Sequence, residues 1–531
     1  MTSSSNNNAN HLSLIEIDST VGNPLIARGA FGHVDIALLA HWASDSSQPS
    51  PSTSKNRVPS HTIPQQPSST IQSISLAAIK TIPNATSSIP SSSSKSASLS
   101  REAFAELNAL RLLNGHENVT PLLGFYVGRD ALSDSKASSG GFGGWEWAAD
   151  SQYSTKHELS TSLCLVFPYH SLDLADALNY RRLQSFDESG SSTPHHYSFY
   201  LPPIVIQSIM HDVLSALKHL HEHNILHRDV KPGNLYITEK GTIQLGDFGL
   251  AKAVVVPMQE SSDNTEETST PSNDEKDPTT YQNKPNVSKG LCTLQYRPPE
   301  LLLGGNGIIN PGGNDECGVN GALDVWSVGC IFAELLTLSG PLFPGQSVLD
   351  QLGRIFHVLG TPTNETWPGV SMLPDWNKVC FESTSGSGLK EKIVGKDLWN
   401  NVGKLIEKML SLDPLGRPSA NECLNHTWVQ VVHATSDESC QVQAHLSVVK
   451  ELIPSSLQIA SPVYFSPSTK STRSEDGRDP FAYAKKYASK LASSRRSFPQ
   501  SAYNHSKDSS NNTDMNIDNE RWKCNRAQTR V

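Results

Sequence analysis

The chain changes its residue periodicity near residue 170, and this change limits its fold more than any other feature. Residues 24 to 42 and 74 to 82 alternate apolar and polar positions with glycine between them, as strands joined by turns do, and they bracket a Ser/Pro-rich insertion. They predict a hairpin with a swollen loop. LCLVFPY, residues 163 to 169, is a continuous apolar run short enough for a buried strand, and Pro168 ends its regular ladder. Beyond it the pattern is helical. Residues 203 to 223 read as a long amphipathic helix, and 321 to 338, 347 to 359 and 399 to 412 carry further helical patterns. A sheet-rich part followed by a helix-rich part predicts an α+β fold in two lobes. One helix is expected within the first part. From Ser100, a capping residue, REAFAELNALRLL places Phe104, Leu107, Leu110 and Leu113 at three-residue steps, with Ala103 and Ala109 lowering the cost of the helix.

At 531 residues the chain exceeds one ordinary domain, and its composition favours one large domain carrying disordered insertions. Ser, Asn, Thr and Pro crowd residues 1 to 10, 43 to 73, 83 to 100, 131 to 160, 186 to 194 and 258 to 289. Apolar residues there are too sparse to offset chain entropy, and these stretches are expected to stay flexible. The net charge of -9 and a pI near 6.1 argue against nucleic-acid binding as the role of the whole chain, and no direct nucleic-acid partner is expected. MTSSSNNNAN has neither a basic n-region nor an apolar h-region, and the longest apolar run, Val328 to Leu338, contains Glu334. Neither secretion nor a membrane partner is expected. The eight cysteines show no C-x-x-C pair and no metal-ligand spacing, so they read as reduced thiols of a protein in the nucleus, the cytoplasm or both. Periodicity is lost beyond about residue 430 except in DPFAYAKKYASKLASSRRSF, where Phe481, Ala484, Tyr487, Ala488 and Leu491 form one apolar stripe beside basic residues. A docking helix, a nuclear-import patch and a solvated tail all fit that segment.

Four motifs together offer the parts that phosphoryl transfer needs: a phosphate cradle, a cationic clamp, metal ligands and a positioned base. The cradle candidate is IARGAFGHV, in which Gly29 and Gly32 would let backbone N–H groups approach phosphate oxygens and Val34 would lie over an adenine; a plain hairpin turn is the alternative reading of these glycines. LAAIKTI puts Lys80 on a largely apolar strand, so its ammonium needs a partner or a ligand; Glu106 on the following helix can supply the partner, in a phosphate clamp or in a purely structural salt bridge. HRDVKPGNLYI, residues 227 to 237, and LGDFGLAK, residues 245 to 252, carry the chemistry. Asp229 is placed to accept or orient the proton of a substrate hydroxyl, and Lys231 to steady the transferred phosphate. Asn234 and Asp247 offer hard oxygen ligands to Mg²⁺.

These motifs, with CTLQYRPPELLLG at 292 to 304, DVWSVGC at 324 to 330 and LDPLGRPSA at 412 to 420, resemble the eukaryotic serine/threonine protein kinases. The resemblance implies a bilobal fold over residues 20 to 430, an N-lobe at 20 to 169 with insertions near 43 to 73, 83 to 100 and 128 to 160, and a C-lobe at 170 to 430 with an insertion near 254 to 289. Residues 1 to 19 and most of 431 to 531 are then disordered. It implies ATP and Mg²⁺ as cofactors and a protein substrate. It assigns catalysis to Asp229, Lys231, Asn234, Lys80, Glu106 and Thr293, the last bridging the catalytic Asp and Lys, and the metal to Asn234 and Asp247. Nucleotide binding falls to Ala27, Gly29, Gly32, Val34, Ala78, Lys80, Phe167, Tyr169, His170, Asp173, Tyr236 and Asp247. It further implies a buried Glu300–Arg417 bridge and an Asp324 that anchors the catalytic loop.

PLFPGQSVLDQLGRIFHVLGTPTNETWP, residues 341 to 368, is similar to the cyclin-dependent-kinase branch, and LPDWNK at 373 to 378 resembles kinases that activate cyclin-dependent kinases. A cyclin-dependent kinase is therefore the expected substrate. SLSREAFAE lacks the sequence that relatives carry on their cyclin-binding helix, so the resemblance does not extend to cyclin dependence. Ala27 replaces the first glycine of the loop, and Ala30 and Phe31 replace an inhibitory Thr-Tyr pair. Tyr236 replaces Leu on the adenine floor, and Gln295 replaces a Trp. The three arginines that grip an activating phosphate in relatives read Ala105, Arg228 and Lys252, and Ser288 matches the phosphate acceptor. Arg297 is expected to occupy a backbone carbonyl near Leu291, which favours proline after the phosphoacceptor. An ordinary cyclin-bound, proline-directed kinase, a pseudokinase scaffold and a metabolic small-molecule kinase are the rival readings.

Overall fold

The structure, a computed structural model of the chain, describes residues 12–15, 25–29, 32–42, 71–83, 101–129, 161–184, 201–254, 292–305, 321–393, 396–430 and 438–453. They fall into two compact units. Ala30, Phe31, Ser288, the acidic insertion, the 479–498 segment and most of the Ser/Pro-rich insertions lie outside the described residues.

The first unit is an antiparallel sheet of β1 (Leu12–Ile15), β2 (Leu25–Gly29), β3 (Gly32–Trp42), β4 (Ile71–Pro83), β5 (Gly124–Arg129) and β6 (Thr161–Pro168). The strand order is β1-β3-β4-β6-β5, with β2 also paired to β3. The hairpin read from the alternation is the β3–β4 pair, in register from His33↔Thr81 to Leu38↔Leu76 and beyond. Period-two patterning shows in the burial of β4, where Ala77, Ile79 and Thr81 are buried while Ala78 and Lys80 are only partly so. The strand at Leu12–Ile15 corrects the expectation that residues 1 to 19 lack structure, since it pairs with Leu38–His41 of β3. Its segment, LSLI, is four residues long and flanked by His11 and Glu16, too short to stand out in the sequence.

The second unit holds α1 (Arg101–Leu113), β7 (Leu172–Asp173), α2 (Leu174–Gln184), α3 (Pro203–Glu222), β8 (Ile225–Leu226), β9 (Leu235–Ile237), β10 (Ile243–Leu245) and β11 (Lys252–Ala253). It continues with α4 (Pro299–Leu302), α5 (Ala322–Thr337), α6 (Val348–Leu359), α7 (Leu389–Lys392), α8 (Lys396–Met409), α9 (Ala420–Leu424), α10 (Thr427–Gln430) and α11 (Glu438–Leu452). Its small sheets are β10-β9-β7 and β11-β8, both antiparallel. Helix α3 opens on prolines, where a missing N–H costs nothing, and buries Val205, Ile206, Ile209, Met210, Val213, Leu214, Leu217 and Leu220. Helix α5 is buried along nearly its whole length, with Trp326 and Phe332 among the largest enclosed side chains, which makes it the axis of this unit.

Two sequence expectations are corrected here. Phe104 is 56% exposed, whereas Ala103, Glu106, Leu107, Leu110 and Leu113 are buried. A helix turns by about 100° per residue, so strict three-residue steps drift around it and Phe104 ends roughly opposite Leu113. The stretch beyond residue 430 is not wholly irregular, because α11 places Ala444, Val448 and Leu452 at four-residue steps and buries all three.

Arg417 and Glu300 form the expected buried bridge, bidentate at 2.7 and 2.8 Å, with the guanidinium 4.8 Å over the Trp326 ring and bonded to the Ala322 and Ser411 carbonyls. Breaking such a pair leaves a buried charge uncompensated. Arg417→Met is therefore expected to cost about 3–5 kcal/mol in urea denaturation, and Glu300→Gln with Arg417→Met together less than Arg417→Met alone.

Candidate active site

In the first unit, cross-strand register gathers the nucleotide-side residues. Val34 pairs with Lys80, Lys80 with Leu165, and Ala78 with Phe167. Because directly opposed residues project to the same side of a sheet, Val34, Ala78, Lys80 and Phe167 share one face. Ala27 pairs with Val34, and Gly29 with Gly32, which closes the tip. Gly32 sits at φ +143°, and a Cβ there would lie 1.9 Å from the Thr81 carbonyl oxygen. Only glycine fits this crossing of β3 over β4. Tyr169 donates its N–H to the Leu76 carbonyl at 3.4 Å, and both Tyr169 and His170 are half-buried after β6.

In the second unit, the segments 227–234 and 292–297 converge on Asp229, which is 7% exposed. Its Oδ1 accepts the Thr293 N–H at 2.8 Å and the Thr293 hydroxyl at 2.9 Å. Its Oδ2 accepts Lys231 Nζ at 2.7 Å and Asn234 Nδ2 at 3.2 Å. Lys231 also reaches Thr293 Oγ1 at 3.0 Å, so Thr293 bridges Asp and Lys as the sequence implies. Asn234 gives its amide hydrogens to the Asp229 backbone carbonyl at 2.8 Å as well, which leaves its amide oxygen as the atom offered to a cation.

This arrangement hangs on Asp324, fully buried on α5. Its Oδ1 accepts the Arg228 N–H at 2.8 Å, and its Oδ2 accepts the His227 N–H and lies beside His221 Nε2, both at 3.0 Å. Burial pushes its carboxyl up, but the hydrogen bonds and charges of His221, His227 and the Arg228 amide hold it below the ordinary carboxylate value. His221 is a partner that the sequence did not suggest. His227 reaches the Gly246 carbonyl at 3.0 Å and meets Phe248 edge-on, tying the loop to the segment that carries Asp247.

Asp247 is exposed and adopts φ +59°, on the turn following β10. Gly246 before it bonds the Asn234 carbonyl, and a Cβ on Gly246 would meet the Tyr236 ring at 2.7 Å and Thr120 Oγ1 at 2.8 Å. The Tyr that replaces Leu on this floor is thus packed against the glycine. Asp173 is opposed to Tyr236 in register, and its Oδ1 caps α2 through the Asp176 N–H at 2.8 Å. An exposed carboxylate and an amide oxygen suit Mg²⁺, a hard cation that takes few protein ligands and shares the rest with phosphate and water. Among the described residues no group of three His, Cys, Asp or Glu side chains forms a denser metal site.

Arg297 donates to the Cys292 carbonyl from Nε at 3.2 Å and from Nη2 at 2.6 Å, one residue on from the expected position. Cys292 takes φ +67° to turn that carbonyl over. Its thiol is buried and its pKa is pushed far up by burial and by Asp229, which suits a packing role. Arg228 donates Nε to the Leu250 carbonyl at 2.7 Å, near enough to Lys252 to lower that ammonium's pKa together with burial; Ala105 is exposed. Lys80 and Glu106 are placed on β4 and on α1 respectively, Glu106 being 2% exposed.

A protein kinase domain model matches residues 71–429 of the chain. Cyclin-dependent kinase 11.1 of Caenorhabditis elegans is 35% identical over 223 residues, which cover 42% of this chain and 26% of that relative. The chain thus spans about a quarter of the curated relative's length. The match begins after Ala27, Gly29, Gly32 and Val34, which are joined to the matched region through the β3–β4 register. Asp324→Asn offers one accepting oxygen where two are used. It is expected to destabilise the protein by about 1–3 kcal/mol in urea denaturation by leaving a buried N–H unpaired.

Proposed function

The chain belongs to the protein kinase family, and from that premise we propose that it transfers the γ-phosphoryl group of MgATP to serine or threonine of a protein substrate. The observation that carries this is the Asp229–Lys231–Thr293–Asn234 constellation. MgATP, when bound, supplies the phosphoryl group and a metal that neutralises its charge. Asn234 and Asp247 would hold that metal. Asp229, fixed by four donors, presents its carboxylate to the substrate hydroxyl, orients it and takes its proton. Lys231, held against both Asp229 and Thr293, places its ammonium where transferred negative charge collects. Thr293 fixes the segment on which substrate lies to the catalytic carboxylate, in keeping with a serine/threonine preference.

Within the family we assign the chain to the cyclin-dependent-kinase type, on the identity to the nematode relative and on the 341–368 segment. Its proposed substrate is the activation loop of a cyclin-dependent kinase, in cell-cycle or transcription control in the nucleus or cytoplasm. The LPDWNK resemblance supports this. That segment is seated on the end of the PPELLLGG stretch: Asp375 donates its N–H to the Leu303 carbonyl at 2.9 Å, and a Cβ on Gly304 would meet its carboxylate at 2.7 Å. The Arg297–Cys292 contact removes a carbonyl that a backbone N–H after the phosphoacceptor would otherwise use, which supports tolerance of proline there. A second reading, an ordinary cyclin-bound kinase, is favoured by the relative's name and by the exposed Phe104 and Leu112 on α1.

Radiolabelled phosphate transfer by purified, cyclin-free protein to an inactive cyclin-dependent kinase separates these readings. Transfer to the substrate's activation-loop threonine is expected, and Asp229→Asn should reduce it on the order of 10²- to 10⁴-fold. Transfer only after cyclin is added would favour the second reading, and failure to bind MgATP would favour a scaffold. Arg228 is already held by the Leu250 carbonyl, and the other two phosphate-gripping positions are Ala105 and Lys252. Ser288→Ala and phosphatase-treated protein are accordingly expected to keep wild-type kcat; equal loss in both would show that activation requires the phosphate.

A further inference from the structure

We infer that helix α11, beyond the matched kinase region, is a positioning element of the catalytic centre that acts through His445 and Asp212 on the strand leading to Asp247. This rests on the reading of Asp247 as a metal ligand. The helix is seated by its buried stripe of Ala444, Val448 and Leu452 and by a 3.2 Å ion pair from Arg181 on α2 to Glu451. The turn between β9 and β10 is shaped for it. Gly241, at φ +84°, brings its Cα so near α11 that a Cβ would lie 2.0 Å from the His445 carbonyl oxygen.

The link itself is a short relay. Asp212 on α3 is 2% exposed, and its Oδ2 accepts the Ile243 N–H at 2.8 Å on β10. His445 Nε2 lies 3.3 and 3.4 Å from the two oxygens of the same carboxylate. Strand β10 ends at Leu245, and Gly246 and Asp247 follow directly. A buried carboxylate that loses a partner either takes up a proton or shifts toward water. Either response loosens its hold on Ile243, and the displacement is carried along three residues to the metal ligand.

The relay is sensitive to pH. Asp212 raises the His445 imidazole through its hydrogen bond, against burial, with further help from its charge and that of Glu117. Burial pushes the Asp212 carboxyl up, but His211, His445 and the Ile243 amide hold it below its ordinary value. Glu239 and Lys240 belong to the same turn as Gly241, and Glu438, Lys450 and Glu451 to α11 itself. Because the folded His445 value is raised, the link is complete below the ordinary histidine value of about 6.5 and is lost as pH rises through the higher folded value.

Hydrogen exchange of the full chain between pH 6 and 9, corrected for intrinsic rates, tests this on residues 438–453 and 243–247. Wild-type protection in both segments is expected to fall about tenfold as pH rises, the size set by one charge-assisted hydrogen bond. His445→Gln, which keeps a donor of similar reach without the charge, should show low, pH-independent protection in both and a severalfold higher KM for MgATP. A flat wild-type profile, or a loss confined to residues 438–453, would overturn the inference and leave α11 as a structural cap. The wild-type titration decides the matter if the variant does not fold. Exchange is read without phosphoryl transfer, so absence of kinase activity would count against the proposed function and not against the relay.

Discussion

The segment that carries Asp229, Lys231 and Asn234 depends on one buried carboxylate. Asp324 sits on the most enclosed helix of the second unit and collects two successive backbone N–H groups, those of His227 and Arg228. Two adjacent amides converge on one acceptor only if the chain between them turns sharply, and Arg228 accordingly lies at φ +66°. A non-glycine residue there costs on the order of 1–3 kcal/mol. The offset comes from hydrogen bonds to a charged acceptor that would otherwise be buried without partners, worth about 1.5–3 kcal/mol each. The strained turn and the buried charge stabilise each other, and Asp229 follows directly from the turn. Its position is thus set by α5 rather than by its own loop.

The same device recurs around the site. Asp247 and Cys292 also take left-handed conformations without being glycine, at φ +59° and +67°. Each has a compensating contact in its segment. Gly246 beside Asp247 is tied to the Asn234 carbonyl, and the turned Cys292 carbonyl is gripped twice by Arg297. Three strained residues from three separate stretches thus frame Asp229, Asn234 and Thr293. Such strain persists only where surrounding contacts over-determine it, and for Arg228 those contacts run back to Asp324 on α5.

This explains which parts of the molecule were legible in the sequence. Residue types at fixed spacing gave Asp229, Lys231, Asn234 and Asp247 their expected roles before any coordinates, and the family resemblance gave Thr293 and the Glu300–Arg417 pair theirs. Strand pairing was legible wherever alternation ran longer than a few residues, as in β3 and β4. Backbone strain leaves no such mark, because Arg228 and Cys292 are not residue types that prefer positive φ. Nor did the sequence expose His221 or Asp212, whose partners lie across the fold: 103 positions away for His221 and Asp324, 233 for Asp212 and His445. Helix α11 escaped because its buried stripe is three residues wide and is diluted by exposed Val442 and Leu446. Phe104 was placed on the wrong face because its three-residue spacing resembles a stripe without following the helical period.

The departures from the family's pattern fall where the backbone asks least. Ala27 lies within β2, paired with Val34 in extended conformation, where any residue is accommodated. Gly32, by contrast, meets the Thr81 carbonyl at a distance that no side chain survives, and Thr81 is the neighbour of Lys80. The glycine that the strand crossing requires is retained, and Ala27 stands at a position where no such crossing demands one. Tyr236 follows the same logic on the other unit, since its ring lies where Gly246 leaves room. A larger floor residue is compatible with the Asp247 turn because the position before that turn carries no side chain.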